Sequence, residues 1–228
     1  MRNSDIFVII PCYNEGEVIA RTVFELMPHA FTVVVVDDGS EVAACQYLSN
    51  QPVKYLRHLS NLGQGAALQT GTQYALSQGA ECIVHFDADG QHDPALIYKL
   101  IEPIRQRECE IVLGSRFLDA HDSELVPFAK RFVLKVGVFV SWLFSGLWLT
   151  DTHNGFRALS RLAAQRITLT ENGFAHATEI LELIRKSKLR YKEIPATIKY
   201  TEYSLAKGQR LLNSVNVVVD LILHKISK

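Results

Sequence analysis

Apolar residues in the first half of the chain gather into short unbroken runs, and between the runs they recur at helical spacing. "IFVIIP" (Ile6–Pro11), "TVVVVDDGS" (Thr32–Ser40), "VKYLRHL", "ECIVHFDAD" and "CEIVLGSRF" read as strands. Their nearly continuous apolar stretches suit a sheet covered on both faces. "EGEVIARTVFELMP", "GQGAALQTGTQYALSQG" and "PALIYKLIEPIRQ" read as the helices between them, the second with Ala67, Leu68, Gly71, Tyr74 and Ala75 on one face and the third with Pro94 near its first position. This βαβα alternation predicts an α/β fold with a mostly parallel, Rossmann-like sheet flanked by helices. After about residue 120 the rhythm changes. Val136–Leu149 is an uncharged apolar run, "LTDTHNGFRALSR" reads as a polar loop entering a helix, "ATEILELIRKSK" as a helix and "YKEIPATIKY" as a strand. The end of the chain reads as an amphipathic helix, with Asn213, Asn216, Asp220 and His224 on its polar stripe.

Composition narrows the class. The 228 residues are 48% hydrophobic, enough for one domain with a sizeable core, and 24 basic residues balance 24 acidic ones. That balance argues against a nucleic-acid partner. Cys12, Cys45, Cys82 and Cys109 form no CxxC pair, which suits a reducing cytoplasm rather than a disulfide framework. The start of the chain reads without a signal peptide, and the apolar run before residue 150 is shorter than the roughly 20 residues of a spanning helix. For 132–149, a buried helix, a dimer face and a helix lying in a membrane interface all remain open.

In a parallel sheet, ligands collect at the carboxyl ends of strands. The acidic clusters of this chain lie there: "PCYNE", "DDGS" and "DADGQHD". Neither the dinucleotide fingerprint GxGxxG after the first strand nor a Walker loop is present. Asp87 and Asp89 are two residues apart on an extended segment, so both point the same way and can share a hard divalent cation. Gln91 or His92 can complete or orient such a site, and an acidic turn is the plainer alternative. "NLGQGAAL" puts two glycines at a helix start, which suits close approach of a phosphate or simply a tight turn.

Taken together and in order, "PCYNE", "DDGS", "NLGQGAAL", "DADGQHDP", "GSRF" and "DTHNGFRA" make the chain resemble the family 2 glycosyltransferases. Within them it resembles most the dolichyl-phosphate mannose synthases and bacterial polyprenyl-phosphate sugar transferases. The resemblance implies one GT-A domain over 1–228, with a donor half to about residue 118 and an acceptor half beyond it. It implies Mg²⁺ or Mn²⁺ as cofactor, a UDP-, GDP- or dTDP-sugar as donor, and inversion at the sugar. The acceptor would be a lipid phosphate or, as the alternative, a glycan hydroxyl. A non-catalytic nucleotide-sugar scaffold is the reading from another class. By the same resemblance, Pro11, Tyr13, Glu15, Asp38, Gly65 and Asp87 lie around the donor. Asp89 and Gln91 hold the metal, Arg116 faces phosphates, Asp151 and Arg157 lie toward the acceptor, and Lys207 belongs to a basic lid. Asp151 is the base if the acceptor is a hydroxyl. Asn154 stands where the family commonly has serine, which bears on the acceptor class. The resemblance also implies a cytoplasmic protein, peripheral at the membrane face through 132–149, with a homodimer left open. Glu179 suits either the acceptor side or a structural role at its helix start.

Overall fold

The computed structural model describes residues 1–48, 51–118, 146–147, 149–152, 154–173 and 175–197. Seven strands form one sheet: β1 (Ile6–Cys12), β2 (Thr32–Asp37), β3 (Lys54–Arg57), β4 (Cys82–His85), β5 (Ile111–Ser115), β6 (Arg157–Ser160) and β7 (Tyr191–Pro195), in the order β3-β2-β1-β4-β6-β5-β7. The five strands expected in the first half are all present. β1 pairs in parallel with β2 and β4, β2 with β3, and β5 with β7.

β6 corrects the sequence reading. "RALS" was expected inside a polar loop, yet it inserts antiparallel between β4 and β5, with His85 opposite Arg157 and Val112 opposite Ala158. Its four residues are too few for a visible period, and two of them, Arg157 and Ser160, are polar. What holds it in place is pairing on both sides together with the burial of Ala158 and Leu159.

Side chains alternate across the strands, so each face has its own core. Ile6, Val8 and Ile10 of β1 and Val33 and Val35 of β2 pack with α1 (Glu17–Leu26) and α3 (Leu96–Arg105). Phe7, Ile9, Val34 and Val36 face α2 (Gln64–Ser77), α4 (Arg161–Arg166) and α5 (His176–Lys186) on the other side. α3 begins at Leu96, two residues after Pro94. Asp93 closes the turn between them by accepting the Ala95 N–H at 2.9 Å. Cys12 and Cys82 are buried strand residues, as expected.

Candidate active site

The ends of β1, β2 and β4 converge because the three strands are adjacent and parallel. Their loops are tied to one another. The Asn14 N–H donates to Ser40 Oγ at 2.9 Å, the Glu41 N–H donates to Asn14 Oδ1 at 2.9 Å, and the Asp38 N–H donates to the Cys12 carbonyl. Asp37 is a structural member of this knot. It accepts from the N–H groups of Ser40 and Ala44 and from the Tyr55 hydroxyl. Burial alone would raise its pKa, but these donors more than offset it and hold the carboxyl below the usual range.

A cavity of about 640 Å³ opens above these loops, lined by Pro11, Cys12, Tyr13, Glu15, Asp38, Asn61, Gly63, Gln64, Ala67, Asp87, Ala88, Asp89 and Gly173. Six of the residues assigned to the donor or the metal therefore meet on one wall: Pro11, Tyr13, Glu15, Asp38, Asp87 and Asp89. The loop that carries Asp87 and Asp89 is pinned to α1 by the Thr22 hydroxyl, which donates to the Ala88 carbonyl at 2.9 Å.

The two strand-end acids differ electrostatically. Burial and the neighbouring Asp87 charge push Asp89 up to about 6. Asp87 is also penalised by burial, but His92, Arg157 and His176 outweigh this and keep its carboxyl below the ordinary value. Asp87 Oδ1 accepts from Gln64 Nε2 at 3.3 Å, and His92 Nε2 lies 3.7 Å from Oδ2. His92 stacks on Phe156 with ring centroids 4.8 Å apart, and it meets the edge of Phe86. It acts as a buried aromatic spacer behind Asp87. Among the described residues, no third carboxylate, histidine or cysteine joins Asp87 and Asp89 to make a metal cage. The donor set still fits a hard cation. It consists of two carboxylates facing a cavity, one of them with its proton affinity raised by the other, so a bound divalent charge relieves their repulsion.

Gly155 explains the spacing of "NGFR". A methyl group at its α-carbon would stand 2.7 Å from Asp87 Oδ2 and 2.9 Å from Oδ1, so the backbone is packed directly against the carboxylate. Arg157 follows on β6 and is 3% exposed. Its Nη2 donates to the Asn154 carbonyl at 3.1 Å, while Nε and Nη1 are buried without a partner among the described residues. Burial brings its pKa down to about 10 against the attraction of Asp87 and Asp151.

Several expected residues lie elsewhere. Gly65 is off the cavity wall. Its N–H donates to the Asn172 carbonyl at 2.7 Å, and a side chain there would meet the Glu171 carbonyl, so this glycine is required by the 171–173 backbone. The Gly65 and Ala66 N–H groups at the start of α2 are thus already used. Gln91 is buried off the wall, with its Nε2 unpartnered among the described residues and its backbone N–H on Asp89 Oδ1 at 3.1 Å. Arg157 likewise lies behind Asp87 and not on the wall. Arg116 and Asp151 meet each other in a buried bidentate pair. Glu179 is structural, accepting from the N–H groups of Thr170 and Glu171. Lys207, the final amphipathic helix and most of 132–149 lie outside the described residues. No helix among the described residues is long and apolar enough to cross a membrane.

Two contributors were not anticipated. Glu193 on β7 accepts from Thr150 Oγ1 at 2.8 Å and from the Thr150 and Asp151 N–H groups, so it seats the loop carrying Asp151. Nothing in "YKEIP" signals this. His58 donates to Asp38 Oδ1 at 2.6 Å, and its position just beyond β3 was the available clue.

The chain is similar to known proteins over most of its length. The profile of Glycosyl transferase family 2 matches residues 7–168. A UDP-N-acetylglucosamine–dolichyl-phosphate N-acetylglucosaminyltransferase of Methanococcus voltae is 32% identical, covering 100% of this chain and 99% of that one. A dolichol-phosphate mannosyltransferase of Pyrococcus furiosus is 30% identical, covering 95% of this chain and 63% of its own length. Among solved structures, glucosyl-3-phosphoglycerate synthase of Mycobacterium tuberculosis, in complex with Mn²⁺ and UDP, superposes with a TM-score of 0.69 at 16% identity, covering 97% of this chain and 78% of that one. At that identity the likeness shows the fold.

Proposed function

Because the chain belongs to glycosyl transferase family 2, we propose that it moves a sugar from a nucleotide sugar onto a polyprenyl phosphate, using a divalent cation held by Asp87 and Asp89. The observation that carries this reading is the pair of carboxylates on the wall of the 640 Å³ cavity, beside the loops of β1 and β2. Pro11, Tyr13, Glu15 and Asp38 would surround the nucleoside. A bound Mg²⁺ or Mn²⁺ would supply positive charge for the diphosphate as it leaves. Gln91 is kept as a supporting residue: its N–H orients the Asp89 carboxylate.

Arg116 is proposed as the fixed positive group on the phosphate side, with Asp151 orienting it. Both Asp151 oxygens accept from the Arg116 guanidinium, at 2.6 and 2.7 Å, which leaves the carboxylate poorly placed to act as a base. A phosphate acceptor has no need of one, because its oxygen is already anionic. That oxygen forms the new bond to the anomeric carbon as the bond to the nucleoside diphosphate breaks, and direct displacement inverts the centre. Arg157 would hold Asp87 ionised from behind, and Lys207 would meet the donor phosphates. The two dolichyl-phosphate relatives support the acceptor class while differing in the sugar they are named for. The 132–149 segment is proposed to meet the membrane surface where such a lipid resides.

The test is a two-phase transfer assay. Label from a nucleotide sugar should enter the organic phase when polyprenyl phosphate and Mn²⁺ are supplied. Label recovered only in water-soluble saccharide products would contradict the acceptor assignment.

A further inference from the structure

Resting on the nucleotide-sugar reading above, we infer that the donor carries a uracil-type base and that His58 sets this preference through Asp38. A carboxylate offers about four acceptor positions, two on each oxygen. Asp38 Oδ1 has both of its positions filled, by the His58 ring N–H at 2.6 Å and the Leu62 N–H at 2.9 Å. Oδ2 accepts the Gly63 N–H at 2.7 Å and, among the described residues, keeps one position. Asp38 lines the cavity together with Pro11, Cys12, Tyr13 and Asn61, where the nucleoside would lie.

Guanine presents two adjacent donors, N1–H and N2–H, to a carboxylate, and they need one acceptor on each oxygen. Uracil and thymine present a single N3–H between two carbonyls and need one. Asp38, as this loop holds it, can serve the second pattern and not the first. A guanine would leave a donor unpaired beside the Asp38 carboxylate, which is 3% exposed, and this corresponds to roughly a tenfold or greater loss of affinity. The amide of Asn61, on the same wall, can donate to a flanking carbonyl of the imide.

His58 is the side chain that decides this. The Leu62 and Gly63 donors are backbone groups, present whatever the side chains are. His58 is held in place from its other nitrogen, 2.9 Å from the Thr70 hydroxyl on α2, so the ring stays on Asp38.

Competition binding to the full chain with Mn²⁺ tests the inference. UDP and dTDP should bind at least tenfold more tightly than GDP. His58→Phe removes the ring N–H, frees a place on Oδ1, and should narrow the UDP-to-GDP ratio about tenfold. His58→Asn, whose amide N–H can replace the ring donor, should keep the ratio. A loop merely loosened by substitution would weaken both nucleotides together and leave the ratio unmoved, which overturns the inference. Equal or tighter GDP binding by the unaltered protein overturns it too, with the nucleotide reading intact. Absence of Mn²⁺-dependent binding for every nucleoside diphosphate overturns the reading beneath it.

Discussion

Arg116 and Asp151 form a bidentate pair, Nε to Oδ2 at 2.6 Å and Nη2 to Oδ1 at 2.7 Å, and the Arg116 N–H adds a third bond to Oδ2 at 3.1 Å. Removing one partner of a buried pair leaves an uncompensated charge, at a cost of about 3–5 kcal/mol. Asp151→Asn should therefore lower the melting temperature by on the order of 10 °C. It should also raise the KM for the nucleotide sugar. Below the melting transition the acid limb of the pH–rate profile should keep its position, because a carboxylate that orients Arg116 removes no proton. Loss of that limb would make Asp151 the base instead.

Gly155 lies against Asp87. A methyl group there, 2.7 Å from Oδ2, has a short, stiff side chain to displace and no free end to push aside. Gly155→Ala should weaken Mn²⁺-supported nucleotide binding by roughly 10- to 100-fold, as for other groups that orient a metal ligand. The measurement is a Mn²⁺ titration at fixed UDP, with circular dichroism to verify the fold.

Gly65 packs directly on the backbone of Glu171 and Asn172. A β-carbon would stand 2.0 Å from the Glu171 carbonyl, so Gly65→Ala must shift backbone on one side or the other. Overpacking of this kind costs about 1–3 kcal/mol, or roughly 2–12 °C in melting temperature at this chain length. Thermal denaturation should show that loss, while nucleotide affinity of the folded fraction stays within about twofold.

His176 contributes one part of the pH response of stability. Burial, reinforced by the Arg157 charge, brings its imidazole from 6.5 down to about 4. Between those values the unfolded chain binds a proton that the folded one does not. The stabilisation is therefore complete above pH 6.5 and drains away as pH falls toward 4, at up to about 1.4 kcal/mol per pH unit. His176→Asn, which can still donate toward the Gly173 carbonyl, should flatten this slope. Identical slopes for the two proteins would contradict it.

The first half of the fold was legible because its strands are continuous apolar runs buried on both faces, as in Val33 to Val36. The strand-end acids could be read for the same reason, since a parallel sheet brings its carboxyl ends together. β6 escaped because four residues carry no periodic signal and the partners of Arg157 lie 44 and 72 positions upstream, at Leu113 and His85. The partners of the site residues also escaped. Spacing could place Asp87 and Asp89 side by side, but not Gly155 behind Asp87, Asp151 on Arg116 or His58 on Asp38, because each of these contacts joins loops far apart in the chain. At Gly65 the sequence leaves phosphate approach and a tight turn equally open, because a glycine needed for backbone contact looks the same in sequence as one needed for a ligand.

The most direct measurement is calorimetric titration of UDP into the unaltered protein and Asp89→Ala, each with Mn²⁺ and with a chelator. The carboxylate pair on the cavity wall predicts strong Mn²⁺-dependent binding by the unaltered protein and no Mn²⁺ enhancement in Asp89→Ala. Equal affinity with and without Mn²⁺ in the unaltered protein, or a full Mn²⁺ enhancement surviving in Asp89→Ala, would contradict it.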